Sequence, residues 1–397
     1  MYCPLEVYQQ IITGSLSVEG PPVVSQNAVT KANNLEGQTV FVQRPRELPI
    51  ECVVTRSNDL LLKDVKTNRY FRASQHELEF VTIPEEEGTE VTFALKQSGA
   101  AMLCYLIQGI TWSPRYNLKV EPDTVDQVSF LAWADMTNST KRDYKIKHVE
   151  LFGGDVPLQH RPQNYFQSPA PVYQKYCCCS PGCDSAPKIV EQGEIAGLYY
   201  YSLDQSFVLA SQSTFSLPFV EVNVKMERIA LKRHHFNERS HKGKFDRVYR
   251  IEGDKFLPKG TCTVRENGRV VGQVHLPDMG VGDKHDLECG SEFDVGFSCQ
   301  VTVLSQKRYT SSYAVKLTIK NTKEKRAMKY EYHESSGGKI MLRDGENRNS
   351  STEVNGNAIK ITGELQPDGD EHVFEYEAHF DYTPQHADDE DKSDLCK

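Results

Sequence analysis

Along most of this chain apolar and polar residues alternate with a period of two, and helical spacing is almost absent. Period two turns successive side chains to opposite faces, so the pattern restricts the fold to half-buried β-strands. Residues 36–83 hold five such runs: "GQTVFVQ", "IECVVTRS", "DLLLKDV", "RYFRAS" and "ELEFVTI". Five short strands in about fifty residues suit a small SH3-like barrel, because closure protects strand edges.

Beyond the charged hinge "PEEEG", alternation resumes at residue 89 and runs to "HVFEYEAHFDYTP". "ALKQSGAAMLCYLIQ" has enough apolar residues for a helix, but Gly99 and the Trp-x-Pro-x-Tyr strand that follows favour two strands. Glu266-Asn267-Gly268-Arg269 is the clearest hairpin signal, since Asn-Gly supplies the positive φ angles of a type I′ turn. Residues 157–197 break the pattern with a loop rich in Pro, Gln, Ser and Tyr, longer than a compact domain needs. The expected architecture is therefore all-β with very little helix. It comprises an N-terminal arm (1–34), a small SH3-like barrel (35–84), and β-sandwich-like units over 89–240 and 241–385. The acidic tail 386–397 reads as disordered. It is no prenylation box, because one residue follows Cys396.

A net charge of −9 argues against general affinity for nucleic acid. The N-terminus has no basic stretch followed by a long apolar run, and nowhere do eighteen apolar residues stand together. Neither a signal peptide nor a transmembrane helix is expected, and the chain reads as intracellular. Cysteine usage agrees. Eleven is an odd number, and Cys52, Cys104, Cys262 and Cys299 stand singly in alternating runs, as small buried hydrophobes do in a reducing compartment. The glycosylation sequons at Asn138 and Asn349 read as chance matches in that setting.

Two stretches stand out as contact sites. Within the long loop, "YCCCSPGCD" gathers Cys177, Cys178, Cys179 and Cys183. Zinc is one reading, although structural zinc usually bridges two separated pairs of ligands and no histidine follows at finger spacing. Reversible S-acylation is another, since adjacent cysteines can supply the two lipid signals that stable anchoring needs. The plain alternative is a set of exposed thiols. The second stretch, residues 225–250, carries nine Lys or Arg against three acids. Lys232, Arg233, His234, His235, Arg239, Lys242 and Lys244 are its candidates for an anionic surface, against the plainer reading of a charged outward face. Aromatic residues are too sparse there for a single-strand stacking platform.

Enzyme signatures are missing: there is no P-loop, no dinucleotide fingerprint, no Gly-x-Ser-x-Gly and no His-Glu-x-x-His. No cofactor is expected. The phrases "YLIQGITWSPRYNLKV", "ADMTNSTKRDYKIKHVELFGGDV", "FSLPFVEVNVKMERI", "VKLTIKN" and "GELQPDGDEHVFEYEAHFDY" follow one another in this order. Order and content resemble the mucoidy-inhibitor-A-like family over residues 89–384, in its shared C-terminal domain of unknown function. The resemblance implies a β scaffold and supplies no catalytic residue. The separate β domain and coiled coil of longer relatives are replaced here by the small barrel. Trp112, Tyr116 and Trp133 read as core anchors whose polar tips find partners. Pro114 suits an edge or bulge, and Asn138 and Asn321 suit turns at strand ends.

The function these observations favour is a non-enzymatic interaction or structural protein in a larger intracellular assembly, with protein partners that could add a strand to a free sheet edge. Two alternatives remain open: a hydrolase with its site between the two sandwiches, and a peripheral membrane adaptor using an acylated cysteine loop and the basic stretch.

Overall fold

A computed structural model of the chain describes residues 1–31, 35–45, 48–81, 87–121, 128–156, 189–344 and 347–383. The described chain is almost entirely β, with one single-turn α-helix, Leu5–Tyr8. It divides into two compact units. One comprises Met1–Thr111 with Asn138–Lys141; the other comprises Trp112–Thr137 and, as described, 142–156 and 189–383.

In the first unit the strands are β1 (Tyr2–Pro4), β2 (Ser17–Glu19), β3 (Val23–Lys31), β4 (Thr39–Val42), β5 (Ile50–Arg56), β6 (Leu61–Asp64), β7 (Tyr70–Arg72), β8 (Leu78–Phe80), β9 (Gly88–Leu95) and β10 (Met102–Cys104). The five runs read between residues 36 and 83 form one sheet in the order β7-β6-β5-β4-β8. Its own core is Leu35, Val40, Val42, Cys52, Val54, Leu62 and Leu78, each taken from the apolar phase of its strand or turn. The residues expected as an N-terminal arm are instead built into sheets. β1 and β3 flank β9, and β2 pairs with β10. The reason is that β9 offers two open edges, and the N-terminal segment contains two short runs able to pair with them. Its neighbour "ALKQSGAAMLCYLIQ" does form two strands, β9 and β10, on either side of Gly99.

The second unit contains β11 (Ile110–Val120, its first two residues in the first unit), β12 (Val128–Asn138, its last residue in the first unit), β13 (Tyr144–Ile146), β14 (Val149–Gly153), β15 (Val190–Ile195), β16 (Leu198–Leu203), β17 (Phe207–Leu209), β18 (Ser213–Pro218), β19 (Val224–His235) and β20 (His241–Gly253). It continues with β21 (Gly260–Glu266), β22 (Arg269–Leu276), β23 (Lys284–Gln306), β24 (Thr310–Asn321), β25 (Met328–Ser335), β26 (Lys339–Asp344), β27 (Ser350–Asn355), β28 (Ala358–Leu365) and β29 (Glu371–Asp381). A five-stranded sheet runs β18-β12-β11-β21-β22, and a nine-stranded sheet runs β26-β29-β24-β23-β20-β19-β25-β28-β27. The ends of the large sheet approach each other, with Ile340 N–H donating to Gly356 C=O at 2.8 Å, so it is nearly closed into a barrel. Residues 240 and 241, expected to separate two sandwiches, lie at the turn joining β19 to β20, which are neighbours in this one sheet. β15 also occupies 190–195, inside the expected loop, in a hairpin turned by Ala196 and Gly197 at φ 53° and 82°.

The large sheet serves two cores with one face. At one end Tyr249, Ile251 and Leu287 pack with Tyr116, Leu118, Phe130 and Val264 of the five-stranded sheet. At the other the sheet curls on itself around Phe245, Phe297, Leu317, Tyr330, Tyr332, Ile361, Phe374 and Tyr376. Burying each such side chain contributes about 1.5–3 kcal/mol, which sets the face of every strand and hence its register. The predicted hairpin forms as read: Asn267 and Gly268 have φ 53° and 71° between β21 and β22. Asn321, fully buried, donates to the carbonyls of Arg326 and Gln366 at 3.0 Å, and Asn138 accepts from Thr140 N–H at 2.9 Å. Pro114 departs from expectation by lying in a central strand. Parallel pairing of β11 with β21 begins one residue later, at Arg115, so Pro114's missing N–H is not called on there.

Candidate functional site

Alternation along β19 and β25 sends their side chains into two different settings. The even residues Ala230, Tyr330 and Tyr332 face the barrel core, together with His234 and Glu334. The odd residues stand on the outer face, in rows fixed by register. Arg233, His333, Lys360 and Glu353 form one row across β19, β25, β28 and β27, and His235, Ser335, Ala358 and Asn355 form the next. These two rows wall a cleft of about 600 Å³. His235 Nδ1 lies 2.6 Å from Ser335 Oγ, and His333 Nε2 lies 3.3 Å from Glu331. The cleft thus presents guanidinium, ammonium, imidazole, carboxylate, hydroxyl and amide groups over a β floor.

The basic stretch read from the sequence is largely neutralised by its neighbours. Arg233 pairs with Asp286 and Glu288, both at 2.8 Å, and Lys232 lies 3.4 Å from Asp246. Arg250 holds Asp286 at 2.7 Å and Glu331 at 2.6 Å. Burial alone would raise the carboxyls of Asp286 and Glu331, but these guanidinium bonds outweigh it and hold both below the usual range. Lys244 donates to Phe293 C=O at 2.6 Å. Arg239 sits in the β19–β20 turn, its N–H on Asn237, and Lys242 is exposed. His234 turns inward, and its side chain is 16% exposed where it borders the cleft. The acids come from β20, β23 and β25, so no local count of charges in residues 225–250 reveals most of them.

Inside the barrel His234 joins a buried polar cluster. Its Nε2 lies 2.5 Å from Tyr332 Oη, which lies 2.7 Å from Glu334 Oε2 and 3.4 Å from Cys299 Sγ. Tyr376 donates to Glu334 Oε1 at 2.8 Å. His234 Nδ1 is 3.0 Å from His235 C=O, an acceptor, so Nδ1 carries the hydrogen. In a neutral imidazole Nε2 is then bare. Tyr332 has one hydrogen and cannot satisfy both His234 Nε2 and an ionised Glu334. The geometry closes with one further proton in the cluster. Glu334 holds it and donates to Tyr332, which donates to His234, or the order runs in reverse as an ion pair. Burial favours the neutral order. It lowers His234 to about 4 and raises Glu334 against the opposing effect of its two tyrosine donors. Burial also pushes the Cys299 thiol up to about 12.

The Glu334 side chain is 1% exposed and His234 16%, and both border the cleft from its inner side. Sequence reading missed Tyr332, Glu334 and Tyr376, and equally His333, Ser335, Asn355 and Lys360 of the cleft. A signal was available: in "KYEYHES" a glutamate occupies the apolar phase set by two tyrosines, which marks a buried carboxyl.

Of the expected anchors, Tyr116 is fully buried and donates to Pro258 C=O at 2.7 Å. Trp112 is partly buried, with its N–H on Phe152 C=O at 3.2 Å and Phe219 5.5 Å from its ring. Trp133 does not anchor the core. It shares the outward phase of β12 with Asp135 and Thr137, and Arg115 lies 5.7 Å over its ring; Phe130 and Met136 fill the inner phase. Cys177, Cys178, Cys179 and Cys183 lie outside the described residues, as does the tail 386–397. Among the described residues no group of three His, Cys, Asp or Glu side chains is placed to hold a metal ion, and no helix is long and apolar enough to cross a membrane. Comparison with family profiles, curated proteins and solved structures finds no match to this chain.

Proposed function

We propose that this chain is a non-enzymatic β-rich interaction module that holds an extended segment of a protein partner in the outer cleft of its barrel-like sheet. The observation that carries this reading is the cleft itself. Two cross-strand rows of side chains, polar except for Ala358, stand over a floor drawn from four adjacent strands. Lys360, together with the Arg233 guanidinium that Asp286 and Glu288 already hold, stands against Glu353 and favours a segment bearing a carboxylate, with Asn355 available to its backbone. An intracellular setting belongs to the same reading, supported by Cys52, Cys104, Cys262, Cys289 and Cys299, which stand as thiols outside any disulfide. Membership of the mucoidy-inhibitor-A-like family is also part of it. The quoted phrases that carry that resemblance fall on strands from β11 to β29.

Peptide display against the full chain tests the proposal. Enriched peptides should be acidic. Ser335→Trp, which fills the cleft from its wall, and Lys360→Glu, which reverses a rim charge, should each weaken their binding by about tenfold or more. Binding indifferent to both substitutions places recognition elsewhere. Robust turnover in an unbiased hydrolase screen, abolished by one polar substitution, overturns the non-enzymatic reading.

A further inference from the structure

Strand β3 carries an inference independent of the cleft. All nine of its residues are exposed, with Val24 and Val29 62% and 48% accessible. It pairs with β9 on one edge and ends its sheet, so among the described residues no strand covers the other edge. Such an edge offers a row of unpaired backbone N–H and C=O groups, and proteins normally guard it with proline, charge, a bulge or shortness. The guards here stand at the ends. Pro21 and Pro22 precede the strand, the register shift lies between Val23 and Ser25, and the one charged residue, Lys31, is last and held by Glu90 at 2.8 Å. From Ser25 to Thr30 the edge carries no guard.

The geometry points to a second copy of this chain as the partner. The β3 strands would run antiparallel about a two-fold axis at Asn27, joining two β1-β9-β3 sheets into one of six strands. This register pairs the regular part of the strand, beyond the bulge at Val23–Ser25. Ser25 faces Val29, Gln26 faces Ala28, and Asn27 faces its own copy. None of these residues is charged, so the pairing contains no like-charge contact. Odd residues pair with odd and even with even, so each face continues unbroken across the new seam. That continuity matters because Ala28 and Thr30 lie opposite Val91 and Thr89, both buried, and the covered face of the sheet now stops at β3. A strand without charge from Val23 to Thr30 has no means of selecting a charged partner. Its own copy matches it in length and face, and the contact is self-complementary as a two-fold interface requires.

Sedimentation velocity of the full chain under reducing conditions tests this from about 1 to about 200 µM, a range suited to an interface smaller than standard size. The wild type should pass from monomer to dimer. Asn27→Lys and Asn27→Asp each set like charges face to face on the axis and should weaken association about tenfold or more. Mixing the two variants should restore it, because opposite charges then meet. Asn27 is exposed, so unchanged circular dichroism and melting should accompany both substitutions. A wild type monomeric throughout, a dimer insensitive to both substitutions, or a mixture that stays dissociated would each overturn the inference.

Discussion

Replacing His234 with glutamine tests the buried cluster through the pH dependence of stability. Gln Oε1 can still accept from Tyr332, so the substitution removes the titration while keeping an acceptor. In the folded chain His234 is lowered from 6.5 to about 4, chiefly by burial, against the opposing hydrogen bond to the His235 carbonyl and with Lys232, His235 and His241 nearby adding to the lowering. Glu334, Tyr332, Tyr376 and Cys299 complete its surroundings. A lowered histidine binds fewer protons folded than unfolded below pH 6.5. Its contribution is fully present above 6.5 and is lost as pH falls toward 4. Between pH 7.5 and 5.0 about one and a half units of that window are crossed, worth roughly 2 kcal/mol at 1.36 kcal/mol per unit. Glu334 acts in the opposite sense, because a raised carboxyl loses stability as pH rises above its ordinary 4.5. In the wild type the two trends oppose one another as pH rises above 4.5. The difference between wild type and His234→Gln isolates the histidine.

Urea unfolding at the two pH values, followed by tryptophan fluorescence, provides the assay. Both tryptophans of the chain, Trp112 and Trp133, belong to the unit that contains the barrel, so the signal reports that unit. The variant should be less stable than the wild type at pH 7.5, and the gap should shrink by about 2 kcal/mol at pH 5.0. His285 and His372, also lowered by burial, are common to both proteins and cancel in the difference. A gap that changes by less than about 0.5 kcal/mol would refute the assignment of His234 as a buried neutral base.

Glu334→Gln should remove the loss of stability that sets in as pH rises above 4.5, whereas Glu334→Leu should cost about 1–3 kcal/mol by stranding the Tyr376 hydroxyl, Tyr332 keeping His234; the same urea series distinguishes them. Gly260→Ala would set a Cβ 2.2 Å from the Pro114 carbonyl oxygen, where neither backbone has room to move. A melting curve should show a loss of about 1–3 kcal/mol or more, and an unchanged midpoint would mean that β11 and β21 do not meet there.

What the sequence could and could not reveal follows from the range of each interaction. Hairpin β21–β22 was legible because Asn267-Gly268 fixes its turn within four residues. The core of the five-stranded sheet of the first unit was legible because Val40, Val42, Cys52 and Val54 stand in strict alternation. Trp133 was misplaced although the same rule applies to it: Asp135 and Thr137 share its phase and turn it outward. The basic stretch misled for a different reason. Arg233 meets Asp286 and Glu288 more than fifty positions away, and Arg250 meets Glu331 eighty-one positions away. Pairing order decides such contacts, and nothing local encodes that β19 lies between β20 and a parallel β25.

That pairing order also explains why the cleft can serve as a preformed site. Arg233, His235, His333 and Ser335 point outward from the same strand segments whose inward residues, His234 and Glu334, are tied into the buried cluster. His234 is fixed through Nε2 to Tyr332 and through Nδ1 to the His235 carbonyl, and Glu334 is fixed through both oxygens to Tyr332 and Tyr376. Because strand side chains alternate, fixing the inward residue fixes the backbone from which its two neighbours project. A ligand in the cleft therefore meets a floor already ordered by the core, and little backbone entropy remains to be lost on binding. Loosening the cluster with Tyr332→Phe should accordingly weaken ligands of the cleft although that ring never touches them, and unaltered affinity in the variant would separate the two faces of the sheet.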